Sequence, residues 1–153
     1  VEHPEDLIKP FANAGADGIT FHVEATEEPG LVIDLIRSTN KQIGISLKPQ
    51  TPFSMIEPFL DQIDLILIMS VEPGFGGQEY IPSSTKKIKD IHQRLIEFGL
   101  RDRILIEIDG GIKLTNAEEI AKAGAEILVA GSEIFQSENP VKTIQEFKAL
   151  GVT

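Results

Sequence analysis

The sequence has no cysteine, which excludes disulfides and thiolate metal sites and fits a reducing compartment such as the cytoplasm. It also lacks any run of about 18 apolar residues, so no membrane-spanning helix is expected. The opening Val1-Glu2-His3-Pro4-Glu5-Asp6 is acidic and turn-like, without the basic-then-apolar order of a secretory signal. Positive charge is scarce: 14 Lys and Arg face 24 Asp and Glu, for a net charge of -10. A nucleic-acid backbone needs a basic footprint, so nucleic acid is not an expected partner. A small anionic ligand stays open, provided that local backbone dipoles outweigh the global field. There is no linker and no low-complexity segment, and 153 residues with 41% hydrophobic content read as a single domain over residues 1–153, able to bury a core.

What is present alternates. Pro4 opens a helical pattern that ends at Ala14-Gly15, and the strand Gly18 to Glu24 follows. Glu28-Pro29 starts a second helix, and Ile43 to Leu47 forms the next strand, closing on Lys48-Pro49. A short helix with Met55, Ile56, Phe59 and Leu60 precedes the strand Leu65-Ile66-Leu67-Ile68, apolar at every position as expected of a parallel strand covered on both faces. Pro82-Ser83-Ser84 leads the longest helix, to Gly99; strand Ile104 to Asp109 follows, then a helix from Asn116 to Gly124, strand Glu126 to Ala130, and a closing helix from Pro140 to Leu150. Strict alternation of this kind predicts a parallel α/β sheet with right-handed crossovers.

The segments Ala12 to Asp17 and Ala121 to Glu126 resemble each other, and Gly124 minus Gly15 is an offset of 109 residues, or four βα units. A (β/α)8 barrel uses about 31 residues per unit, so five units fill the chain and three strands of a barrel are not in it. An open doubly wound sheet of five strands has the same periodicity, and both folds bind ligands at the carboxyl ends of their strands.

Those ends carry His22 and Glu24, Lys48, Met69 with the loop Ser70 to Gln78, Asp109-Gly110-Gly111, and Gly131-Ser132. Gly74, Gly76 and Gly77 lie within four residues, so the loop's N–H groups can turn toward a ligand and approach it closely; a tight connection without a ligand explains them equally well. Gly110, Gly111, Gly131 and Ser132 at neighbouring strand ends make a phosphate cradle of backbone donors and a hydroxyl, as recurs after strands seven and eight of barrels. Asp109, a charge ending an apolar strand, can be a metal ligand, an acid/base or a turn residue bonding its own backbone. His22 and Glu24 are two apart on a strand, a spacing that can chelate a metal, although a solvated polar pair is the commoner cause. His92 reads as a helix-surface residue and His3 as local structure at a helix entrance. Lys48 reads as charge near the site or half of an ordinary ion pair, and Met69 as pocket lining or core.

At Thr20-Phe21-His22-Val23-Glu24-Ala25, Lys48-Pro49, Met69 through Gln78, Ile108-Asp109-Gly110-Gly111-Ile112 and Ala130-Gly131-Ser132 the chain resembles the ribulose-phosphate 3-epimerases. The resemblance implies a TIM barrel, here strands four to eight and hence incomplete, and interconversion of D-ribulose 5-phosphate and D-xylulose 5-phosphate in the pentose phosphate pathway. It also implies a divalent metal, zinc in first place, with iron, manganese or cobalt as alternatives. By resemblance, Asp109 is both a metal ligand and one of two acid/base carboxylates. Gly74, Phe75, Gly76, Gly77, Gly110, Gly111, Gly131 and Ser132 match substrate- and phosphate-binding positions, and Met69 matches a pocket-lining methionine.

The other metal ligands of the family, two histidines and the partner aspartate, belong to strands this chain does not contain, and His22 and Glu24 match a segment outside the metal site. A chain that keeps the phosphate half of the site and loses the metal half is expected to expose barrel edges and to form homo-oligomers. Two alternatives remain: another ribulose-phosphate-type barrel enzyme, such as a decarboxylase or synthase, and a non-catalytic sugar-phosphate-binding or self-associating fragment.

Overall fold

The computed structural model describes residues 2–72, 74 and 77–150. Five strands, β1 (Gly18–His22), β2 (Gln42–Leu47), β3 (Leu65–Met69), β4 (Leu105–Asp109) and β5 (Ile127–Val129), form one sheet in the order β1-β2-β3-β4-β5. All four pairings are parallel. Each strand therefore lies beside its predecessor and the winding never reverses. A doubly wound sheet would reverse its order at a switch point, so that alternative is set aside. Right-handed crossovers that always step the same way place every connecting helix on one face.

Those helices are α1 (Ile8–Asn13), α2 (Pro29–Ser38), α3 (Ser83–Glu97), α4 (Leu114–Lys122), α5 (Gly131–Phe135) and α6 (Pro140–Ala149). In α3 the residues Ile88, Ile91 and Leu95 recur at helical spacing and are buried, while the charged positions between them face water. They meet Ile45, Ile66, Ile68, Ile106 and Ile108 from alternate positions of the central strands, all fully buried in the same core cluster.

The other sheet face departs from expectation. Leu65 and Leu67 of β3 are only partly buried, and Leu105 and Val129 are 42% and 36% exposed. The apolar run of β3 is thus covered on one face only, because among the described residues no helix crosses the other. Two further boundaries move. The first strand ends at His22 and a single 3-10 turn, Val23–Ala25, carries Glu24. The helix expected around Met55 to Leu60 is two 3-10 segments, Phe53–Met55 and Glu57–Gln62, the second with Pro58, which has no N–H to donate into an α-helical ladder.

Leu95 is fully buried in the core, whereas Ile96 beside it is 49% exposed. Leu95→Ala is expected to cost about 2–5 kcal/mol of stability and Ile96→Ala about 0.5 kcal/mol or less, measured by urea unfolding. Equal losses would contradict this packing.

Candidate active site

The β3–β4 ladder sets the geometry at the strand ends. Met69 is level with Asp109, and Asp109 with Val129. Ser70, fully buried just past β3, locks this register. Its N–H donates to the Asp109 carbonyl at 2.8 Å, and its hydroxyl reaches the carbonyls of Asp109 at 2.9 Å and Gly110 at 2.6 Å. The chain leaving the glycine loop then returns across β4: a Cβ on Gly111, at φ 63°, would lie 2.3 Å from the Tyr80 backbone nitrogen. Only glycine fits that crossing.

The result is a cleft of about 320 Å³ whose lining includes Met69, Gly74, Gly77, Asp109, Gly110, Gly111, Gly131 and Ser132. Eight of the ten residues marked by the family resemblance thus share one cleft; the other two, Phe75 and Gly76, lie outside the described residues. Gly131 has open space where a side chain would begin. A larger groove of about 660 Å³ lies elsewhere, between α4, β5 and α6, walled by apolar side chains such as Leu128, Ile144 and Phe147. Its Arg101 pairs with Glu126 at 3.0 Å, whereas Asp109 and the glycine backbone belong to the smaller cleft.

Burial pushes the Asp109 carboxyl above its ordinary pKa, partly offset by the hydrogen bond from the Gly110 backbone. Glu107, two residues earlier on the same strand face, is also raised, first by burial and then by the Asp109 charge. Sequence reasoning missed Glu107, although a carboxylate at the strand spacing from Asp109 within an apolar strand was a readable signal. It missed Ser70 because its partners lie 39 and 40 residues away.

Other expected residues fall outside this cleft. His22 Nδ1 and Glu24 Oε2 come within 3.4 Å, and neither atom has a hydrogen-bond partner among the described residues. Burial lowers the His22 pKa against the opposing pull of Glu24, so at neutral pH this contact is not an ion pair. Burial also tends to raise the Glu24 pKa, but hydrogen bonds from Thr51 and the Lys48 N–H outweigh it and the net direction is down. His92 is not a surface residue: it is half-buried, accepts from Arg101 Nε at 3.1 Å and packs where a Gly124 side chain would sit. His3 is local structure, 3.3 Å from Glu5. Among the described residues no three His, Asp or Glu side chains come together in a way that could hold a metal ion. Asp109 by itself does not make a metal centre, and His22 and Glu24 do not complete one.

Fold and cleft together define a singly wound parallel α/β protein with a glycine-walled, strand-end cleft around one half-buried carboxylate. Solved structures of that architecture superpose on it. KGPDC from Streptococcus mutans matches with a TM-score of 0.73 at 21% identity, covering 97% of this chain and 67% of the other. A 3-hexulose-6-phosphate synthase matches at 0.67 and 19% identity, covering 99% and 70%. These likenesses speak to fold alone. Sequence comparison is narrower: the model described as the ribulose-phosphate 3 epimerase family matches residues 1–135. The ribulose-phosphate 3-epimerase of Escherichia coli strain K12 is 44% identical over 147 residues, 95% of this chain and 64% of that protein. That of Bacillus subtilis strain 168 is 40% identical over 148 residues, 97% and 68%. The chain belongs to the ribulose-phosphate 3-epimerase family. It spans less than two thirds of the Escherichia coli relative's length.

Three substitutions probe the cleft. Because the folded Asp109 carboxyl sits above its ordinary value of 3.8, the native state binds more protons than the unfolded one between 3.8 and the raised value. Stability therefore falls as pH rises through that window and then levels. Asp109→Asn is expected to be more stable than the parent near neutral pH and to lose the advantage below 3.8, read from urea midpoints at both pH values; no gain near neutrality would contradict the assigned burial. Gly111→Ala, which adds a backbone clash to a positive φ, is expected to cost more than about 2 kcal/mol. Gly131→Ala is expected to change stability by about 0.5 kcal/mol or less while weakening inorganic phosphate binding several-fold. Calorimetric titration checks the second half, and unchanged affinity would remove Gly131 from the cradle.

Proposed function

We propose that this chain is the strand-four-to-eight portion of a ribulose-phosphate 3-epimerase, supplying the phosphate cradle and one acid/base carboxylate. The observation that carries this reading is Asp109 beside Gly110, Gly111, Gly131 and Ser132 in one cleft of a family member. The substrates are D-ribulose 5-phosphate and D-xylulose 5-phosphate.

Inversion at C3 starts with removal of the proton next to the C2 carbonyl. The Asp109 carboxylate takes that proton, the C3–H pair moves into an enediolate, and a proton returns to the opposite face of C3. Burial that raises the Asp109 pKa makes it a stronger base for this weakly acidic proton. The backbone N–H groups of Gly110, Gly111 and Gly131 and the Ser132 hydroxyl hold the phosphate. Asp109 serves one face of the sugar. Glu107 stands on the same strand face, one layer deeper, and does not supply the opposite side. The family resemblance implies a divalent metal to stabilise the enediolate oxygens, but among the described residues no group of His, Asp or Glu side chains fits one. The cytoplasmic assignment rests on the absence of cysteine. No helix among the described residues is long and apolar enough to cross a membrane.

A second reading, a sugar-phosphate-binding fragment without turnover, is favoured by that missing donor set. The two are separated by solvent deuterium incorporation at C3 of D-ribulose 5-phosphate with zinc present. The expected result for this chain by itself is exchange no faster than a no-protein control; exchange well above the control would show that Asp109 removes the C3 proton in this chain, and accompanying formation of D-xylulose 5-phosphate that an acid on the opposite face is recruited within the chain or its oligomer. The outer edges of β1 and β5, unpaired in the sheet order, and the exposed Leu105 and Val129 favour self-association. Light scattering is expected to give a mass above one chain, and a stable monomer would count against it.

A further inference from the structure

The loop that leaves β2 is held by an arrangement that neither the fold nor the phosphate cradle requires. Lys87, half-buried in the second turn of α3, points its ammonium at three carbonyl oxygens of that loop: Lys48 at 2.7 Å, Pro49 at 3.2 Å and Thr51 at 2.7 Å. An ammonium has three protons to donate, and here each has an acceptor. From the other side, Glu24 Oε1 accepts the Lys48 N–H at 2.8 Å and the Thr51 hydroxyl. Lys48 is thus pinned at both its N–H and its C=O by side chains 24 and 39 residues away.

This clamp fixes a residue whose own charge is unspent. The Lys48 side chain is exposed, and among the described residues it makes no ion pair and no hydrogen bond. Its charge is felt at the His22 ring, where it opposes protonation. Leu47 pairs with Ile68, so Lys48 stands one step on, level with Met69, which is itself level with Asp109. The rim therefore runs Lys48, Met69, Asp109, Val129, with Gly131 and Ser132 just beyond the last strand. Strands are spaced about 4.8 Å apart, which puts Lys48 about 10 Å from Asp109 on the side away from the cradle. A phosphate at Gly131 with its reacting carbon at Asp109 leaves the remaining oxygens of the ligand to extend toward Met69 and Lys48. In a chain with a net charge of -10, an ammonium carried on this fixed backbone is a specific complement to such oxygens.

We propose that Lys48 contacts the end of the ligand remote from the phosphate, and that Lys87, with Glu24, is the positioning residue that presents it. The proposal rests on the sugar-phosphate reading of the cleft. Its test is calorimetric titration of the full chain with D-ribulose 5-phosphate and, separately, with inorganic phosphate. Lys48→Met is expected to weaken the sugar phosphate roughly tenfold, the scale of one charge-assisted hydrogen bond, and to leave inorganic phosphate unchanged. Lys87→Met is expected to cause the same selective loss, the double variant no larger one, and Lys87→Arg, which keeps a cation against the carbonyls, a smaller one. If Lys87→Met does not fold, Lys48→Met and Lys87→Arg carry the comparison. Unchanged sugar-phosphate affinity in Lys48→Met overturns the inference while leaving the cradle standing. A parallel loss of inorganic phosphate overturns the placement of Lys48 at the remote end. A parent chain that binds neither ligand overturns the sugar-phosphate reading itself, and the Lys48 contact with it.

Discussion

The register between β3 and β4, closed by Ser70, is the constraint on which the candidate site depends. A one-residue slip in a strand turns every side chain to the opposite face. Asp109 would then point into the helix-covered core, and the level row of Met69, Asp109 and Val129 would dissolve. Ser70 prevents this with its N–H on the Asp109 carbonyl and its hydroxyl proton shared between the carbonyls of Asp109 and Gly110, all from a fully buried position. The same contacts hold Gly110 against Val71 and Gly111 where Gln78 to Tyr80 cross above it. Strand pairing, the carboxylate and the glycine wall are therefore parts of one arrangement.

Electrostatics pull in two directions around it. The chain is strongly acidic, Asp109 adds a carboxylate to the cleft itself, and Glu107 adds another on the same strand face below it. An anion is attracted there only by nearby donors, because backbone N–H groups at contact distance act more strongly than diffuse charge screened by water and salt. Keeping Asp109 partly buried costs stability and raises its proton affinity together, the exchange of stability for reactivity that the proposed acid/base role of Asp109 calls for.

Much of this was legible in the sequence, for identifiable reasons. The strands appear as apolar runs ending in glycine or charge, and the cleft residues appear because Asp109-Gly110-Gly111 and Gly131-Ser132 end neighbouring strands. Periodicity left the winding open, since it is identical in singly and doubly wound sheets, and only the family resemblance pointed to a barrel. The exposure of Leu65 and Leu67 was not legible, because an apolar strand reads the same with one face covered or two. Glu24 was placed on a strand since Val23 continues the apolar alternation, yet the backbone turns there. His92, Ser70 and Lys87 were misread or missed for one shared reason: their partners are close in space but distant along the chain.

The central claim is that Gly110, Gly111, Gly131 and Ser132 form a phosphate cradle beside Asp109. An amide NMR titration of the chain with inorganic phosphate tests it most directly. The account predicts saturable shifts at the amides of Gly110, Gly111, Gly131 and Ser132, with Leu128 and Phe147 in the larger groove unmoved. Shifts confined to that groove, or none that saturate, would contradict it.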